Sequence, residues 1–325
     1  MRVLFCGTPQ FAVPALEHLL AQQDFTVIGV ITQPDRPRCR GMEISASPVK
    51  QIAAAADLKI LQPEKIRAPE VEESLRRLQP DVVVIIAYGQ IIPARLLTIP
   101  KYGWINLHGS LLPKYRGGAP IQRAIANGET TTGLTTMRID TGMDTGDILL
   151  QREIHIGPKE TAPDLAARMA EAGAPLMADT LRGIVKRTIQ PQPQNHHRAS
   201  YAPVLKKEEG HIDWTRPAEE IYNRMRAFTP WPGAFTTLRS RTVHIWAEPV
   251  SKRVSPGLMP GSSRERALPG TLGINTQGLF VVCGGATELH VLFVKREGGK
   301  SVDAMEYAHA IRLTEGERFG DSQLP

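Results

Sequence analysis

The 325-residue chain is 42% hydrophobic and 22% charged, a globular balance rather than a disordered or fibrous one. Its length exceeds what one core serves comfortably, which points to two domains. No apolar run approaches the ~20 residues of a membrane helix, and the opening M-R-V-L-F is too short for an export signal, so a cytoplasmic chain without a membrane partner is expected. The cysteines, Cys6, Cys39 and Cys283, form no C-x-x-C pair, which argues against a disulfide framework and a thiolate zinc site; no metal is expected. The net charge of +6 is spread out, with 23 basic against 19 acidic residues up to residue 205 and 16 against 14 after it. A polyanionic partner therefore has to be argued from local clusters.

In chain order, Arg2–Cys6 reads as a strand ending at Gly7, followed by helical spacing over Phe11–Gln22. Thr26–Thr32 is the next strand, and Pro48–Ala56 and Val71–Leu78 are helical. V-V-V-I-I-A at Val82–Ala87 is nearly continuous in apolar residues, as a strand covered on both faces must be. Trp104–His108 is a further central strand, with a helix after it over Ala119–Asn127. This alternation predicts an α/β fold, a Rossmann-like, doubly wound parallel sheet. Pro163–Lys186 reads as one long helix interrupted near Gly173 and Pro175. The polar, proline-punctuated run Q-P-Q-P-Q-N-H-H from Gln190 reads as a linker in which His196 and His197 are solvated. After Lys206-Lys207, a helix at Ala218–Ala227 precedes short strands at Ala234–Leu238, Val243–Ala247, Gly278–Cys283 and Glu288–Val294, the pattern of a small antiparallel barrel. The expected domains are residues 1–189, a linker at 190–205, and 206–325.

The stretch W-I-N-L-H-G-S-L-L-P poses the chemical question. Asn106 and His108 share one face of a strand, and burying both is costly unless each finds a partner. Either they are a satisfied structural pair, or they point into a cleft beyond a strand end, where doubly wound sheets bind ligands. Downstream, D-T-G-M-D-T-G-D makes a tight loop whose carboxylates include Asp140 and Asp144. An Asn106 amide and a protonated His108 can donate to a carbonyl oxygen that becomes negative under attack, and Asp144 beside the ring favours its cationic form and orients it. That set needs no protein nucleophile. The acidic spacing does not fit a calcium loop, Gly7-Thr8-Pro9 lacks the dinucleotide G-x-G-x-x-G, and no G-x-S-x-G elbow is present.

These residues carry a resemblance. N-L-H-G-S-L-L-P-K-Y-R-G-G-A-P-I-Q with D-T-G-M-D-T-G-D-I resembles the folate-dependent formyltransferases. F-C-G-T-P-Q-F-A-V-P, T-Q-P-D-R-P-R-C-R-G with S-P-V-K, A-Y-G-Q-I-I-P and R-A-F-T-P-W-P-G-A narrow it to the members that formylate methionine carried on initiator tRNA, a step of translation initiation. The resemblance covers nearly the whole chain. It implies a formyltransferase fold for residues 1–189, an OB-like tRNA-binding barrel for 206–325, and a one-carbon transferase. The α-amine of methionyl initiator tRNA would attack the formyl group of 10-formyltetrahydrofolate. Asn106, His108 and Asp144 match the catalytic set. Ser110, Leu111, Leu112 and Pro113 match the folate-contacting segment, and Tyr88, Gln90, Ile92 and Asp140 should frame the pterin. Arg36, Arg38 and Arg40 supply cations in a loop that engages the tRNA acceptor end, and Lys206 and Lys207 resemble a basic linker that tracks tRNA. Gly41-Met42-Glu43 stand where many members carry Gly-Lys-Lys, which weakens that loop's electrostatics. The chain is read as a monomer. Two other readings stay open: a formyltransferase acting on a small amine such as a nucleotide-sugar, and an RNA-binding module with an inactive catalytic-like domain.

Overall fold

The computed structural model describes residues 1–38, 43–250, 267–314 and 316–320. They form two compact units. The first comprises Met1–Ile121, Thr130–Gly157 and Asp164–Val204, and the second Gln122–Glu129, Pro158–Pro163 and Leu205–Pro325.

The chain through α6 follows the expected alternation: β1 (Arg2–Gly7), α1 (Val13–Ala21), β2 (Thr26–Ile31), the small hairpin β3 (Arg36–Arg38) and β4 (Glu43–Ser45), α2 (Pro48–Ala55), β5 (Ile60–Leu61), α3 (Pro69–Leu78), β6 (Val82–Ile86), α4 (Ala94–Leu97), β7 (Trp104–His108), α5 (Pro120–Ala126), β8 (Thr131–Arg138), β9 (Ile148–His155) and α6 (Ala162–Lys186); all but most of α5 and the start of α6 lies in the first unit. Local chemistry sets the helix ends. Ser47 caps α2 by accepting from the Lys50 amide, with Pro48 at the first helical position. α3 also opens on a proline, carries Glu70 and Glu72 in its first turn and Arg76 and Arg77 in its last, and ends on Gln79 at φ 49°. The sheet order is β5-β2-β1-β6-β7-β8-β9. All five residues of β6 are buried, as a strand between two helical layers requires. The sheet is not wholly parallel. β8 runs antiparallel to both β7 and β9; the second pairing follows from the short 140–147 loop, which only an antiparallel pair closes that tightly.

α6 also departs from expectation, running unbroken through Pro175. Gly173 explains how it is held: a Cβ there would lie 2.5 Å from Leu107 Cδ2, so the helix rides directly on β7. A buried Thr136–Thr180 hydroxyl pair at 2.8 Å ties it to β8. Tertiary packing outweighs the lost backbone hydrogen bond.

The second unit contains α7 (Ala218–Ala227), β10 (Phe235–Leu238), β11 (Arg241–Pro249), β12 (Leu272–Asn275), β13 (Gly278–Cys283), β14 (Thr287–Arg296), β15 (Ser301–Asp303) and α8 (Ala304–Ala310). The antiparallel sheet runs β10-β11-β14-β13-β12, with β15 on β14. Its open edges are joined by the segment Glu317–Gly320. Leu272 N–H donates to Glu317 O, Phe319 N–H to Gly270 O, and Gly320 N–H to Thr237 O, so the sheet closes on itself. Trp214 stacks on Phe319 inside, with centroids 5.4 Å apart. This unit also takes in two pieces of the earlier chain, Gln122–Glu129 and Pro158–Pro163. An Arg123–Glu209 fork and an Arg226 hydrogen bond of 3.0 Å to the Glu160 carbonyl bind them to it.

Candidate active site

β7 puts Asn106 and His108 on one face, two residues apart. The Asn106 side chain is half-buried, and its amide makes no hydrogen bond among the described residues. His108 is 6% exposed. Its Nε2 lies 2.9 Å from the Tyr115 carbonyl, and its Nδ1 lies 3.6 Å from Asp144 Oδ2. The first is a hydrogen bond. The second is a charge contact beyond hydrogen-bond reach. The group that fixes the ring is therefore the Tyr115 carbonyl, where the sequence reading gave that task to Asp144.

The carboxylate is held separately. Asp144 Oδ2 accepts from Gly117 N–H at 2.8 Å. The loop leaves β8 beside Trp104, where Ile139 N–H donates to the Trp104 carbonyl, and doubles back to bring Asp144 to His108. Asp144 itself sits at φ 52°, and Ala87 and Tyr115, flanking the same strand ends, at 48° and 60°. Left-handed backbone at three non-glycine residues costs about 1 kcal/mol or more each, and tends to persist where a site over-determines it.

The strand order reverses between β1 and β6, and a cleft of about 520 Å³ lies there, bordered by Thr8, Gln33, Arg36, Ser47, Tyr88 and Gln90. On the segment after β6, Ala87, Gly89 and Ile91 are exposed, Ile91 by 85%, and the Tyr88 carbonyl accepts from the Gln33 amide at 2.9 Å. Tyr88 and Ile92 are buried beneath that rim. Burial pushes the Tyr88 phenol up, well above its usual range. The Gln90 amide is engaged locally, accepting from Ile66 N–H at 2.8 Å and donating to Glu64 O at 3.2 Å. Asp140 caps its own loop, accepting from Gly142 N–H and the Thr145 hydroxyl. Ser110 and Leu112 are buried, Leu111 and Pro113 half-buried. The Ser110 hydroxyl donates to Lys114 O at 2.6 Å, so it shapes the loop rather than facing outward.

Arg36 is exposed at the cleft. Arg38 lies on β3, but its side chain, like Cys39 and Arg40, lies outside the described residues. Lys206 and Lys207 are exposed in the second unit. The site therefore unites Asn106, His108 and Asp144 within the first unit. Burial pushes the Cys6 thiol well up and Cys283 to about 12, so neither is a thiolate nucleophile. Among the described residues no group of three metal-ligating side chains occurs, and no helix is long and apolar enough to cross a membrane.

Sequence reasoning missed the supports. The segment 190–205, read as a solvated linker, packs onto the first unit. Gln194 is 6% exposed and Ala202 fully buried, and Gln192 pairs with Ile148. His196 and His197 are exposed, as expected, and His196 also accepts from Arg116 at 3.2 Å.

The formyl transferase family matches residues 1–181, and its C-terminal domain matches residues 204–312. A methionyl-tRNA formyltransferase from Solibacter usitatus is 49% identical over 325 residues, covering all of both chains. One from Acidobacterium capsulatum is 46% identical over 321 residues, 98% of this chain and all of the other. Among solved structures, an N-formyltransferase from Helicobacter canadensis, in complex with folinic acid and dTDP-3-aminofucose, has a TM-score of 0.62 at 20% identity, covering 89% of this chain and 98% of that one. With its strand–helix sheet, its closed second unit and full-length relatives at this identity, the chain belongs to the formyl transferase family, among the methionyl-tRNA formyltransferases.

Proposed function

We propose that the protein transfers the formyl group of 10-formyltetrahydrofolate to the α-amine of methionine on initiator tRNA, with Asn106, His108 and Asp144 as its catalytic set. The observation that carries this reading is the arrangement at the end of β7: an unengaged amide on Asn106 beside a His108 ring whose Nδ1 faces a carboxylate 3.6 Å away without being tied to it. The Tyr115 carbonyl lies at hydrogen-bond distance from Nε2, and Asp144 stands 3.6 Å from Nδ1, close enough for a charge contact. As the amine adds to the formyl carbon, the formyl oxygen gains negative charge. The Asn106 amide and His108 Nδ1–H donate to it. Asp144, steadied by Gly117 N–H, balances the ring's charge and accepts the proton the amine must lose, directly or through a water; as the adduct collapses, the bond from the formyl carbon to folate N10 breaks and that proton passes to N10. The segment Tyr88–Ile92 at the cleft and the Asp140 loop suit the pterin. Arg36 at the cleft, with Arg38 and Arg40 following it in the sequence, suits the phosphates of the acceptor end.

Incubation with 10-formyltetrahydrofolate and charged initiator tRNA should yield formylmethionine, with a nucleotide-linked amino sugar as competing acceptor. Formylation of the sugar and not of the tRNA would move the protein to the small-amine reading.

A further inference from the structure

The three residues after Lys114 each hold a different part of the site. The Tyr115 carbonyl takes the His108 Nε2–H, and the Gly117 N–H takes the Asp144 carboxylate. Between them, the Arg116 side chain turns inward and is only 2% exposed. Its Nε and Nη2 fork onto Gln194 Oε1 at 3.1 and 2.6 Å. The Gln194 amide then donates to the Asp144 carbonyl at 2.9 Å and the Gly146 carbonyl at 2.7 Å. A chain of hydrogen bonds thus runs from the guanidinium to the main chain of the residue that carries the carboxylate. The 115–117 strip is in turn clamped by the chain after Gln194: Tyr115 N–H donates to Ser200 Oγ at 2.9 Å, and Arg116 N–H to Ser200 O and Ala202 N–H to Arg116 O at 2.8 and 2.7 Å.

Arg116 has no carboxylate within ion-pair distance among the described residues. Burying a cation against an amide and an imidazole is expensive, of order several kcal/mol even after relaxation. An apolar residue would fill the space at lower cost. A fork donor that polarises the Gln194 amide strengthens that amide's grip on the loop carbonyls, a reason for the charge that packing does not supply.

We propose that Arg116 and Gln194 are positioning residues: acting through the Gln194 amide, they hold the 140–147 loop so that Asp144 stands beside His108. This rests on the role given above to His108 and Asp144. The discriminating variant is Gln194→Glu, which keeps the acceptor for Arg116 and pairs its charge but removes the N–H donors to the loop. If Gln194 serves only to bury Arg116, this variant is harmless. As a positioning residue it loses about 10²-fold in kcat, the scale of an ångström-sized misplacement, with KM for folate and tRNA near wild type and the melting temperature lowered, because one buried and one part-buried carbonyl lose their donors. In an Asp144→Asn background the same change adds little, because the group it positions is already disabled. Arg116→Lys, which keeps the charge and loses the fork, follows the same pattern and serves if Gln194→Glu does not fold. Wild-type kcat in the variant that folds, or a loss that multiplies undiminished with Asp144→Asn, overturns the proposal. Wild-type enzyme that forms no formylmethionine in the parallel assay overturns the underlying function instead.

Discussion

At the scale of single residues, the site divides into groups that meet the substrate and groups that hold them still. The function proposed above puts His108 among the first. Under its proposed role, His108→Ala lowers kcat by ~10²–10³-fold, the usual loss for an oxyanion donor, while folate affinity by equilibrium titration stays within about twofold; weakened folate binding at unchanged turnover would contradict the assignment. Gly117 belongs to the second. Its φ is +116°, and a Cβ there would stand 2.8 Å from the Ala202 carbonyl. Gly117→Ala should cost about 1–3 kcal/mol in urea unfolding, the scale of a strained backbone position, and slow turnover because its N–H steadies Asp144. Wild-type stability would mean that the 200–202 segment yields easily, and the clamp described above would lose its stiffness. Asn106 and His108 were legible as a pair from their spacing alone, since alternate residues of a strand share a face. The Tyr115 carbonyl and Gly117 N–H were not, because every residue carries such backbone groups and only folding decides which are used. Gln194 lay hidden because a buried glutamine in a polar, proline-rich run reads the same as a solvated one.

At the scale of elements, β6 and β13 were legible because fully buried strands are apolar at every position, whereas β8, rich in threonine, was not read as an element at all. The closure of the second unit was the least visible step, since it depends on a few backbone bonds from Glu317–Gly320. Glu317 anchors that segment by accepting from Arg239 Nε and Nη2, both at 2.7 Å, and from Thr314 N–H and hydroxyl. The Arg239 hydrogen bonds come first among the causes that hold its carboxyl down at about 2, against an ordinary 4.5, with burial opposing them. A folded pKa below the unfolded one gives stability that is complete above the unfolded value and disappears as pH falls toward the folded one. Glu317→Gln should therefore melt lower than wild type near neutrality, and the gap should close between about pH 4.5 and 2. Calorimetry showing a gap that does not change with pH would place the carboxylate outside the closure.

For the molecule as a whole, a net charge of +6 on 325 residues is too small to pull in tRNA by itself. Any grip on a polyanion must come from a few cations that meet phosphates directly. Each phosphate contact releases counterions, so it appears as a slope in affinity against salt, about one unit per contact. Lys206 and Lys207 are exposed and form no ion pair among the described residues, so their ammonium groups are not already neutralised. Replacing both with alanine should weaken initiator tRNA binding most at low salt and reduce the log–log slope by about two units. At saturating tRNA the rate of formyl transfer should hold, because neither side chain belongs to the catalytic set. Solvated surface lysines would behave differently: a small uniform loss at low salt, from the change in overall charge, with the slope unchanged. Binding titrations at four or five salt concentrations separate the two cases, and an unaltered slope would remove these lysines from the tRNA contact.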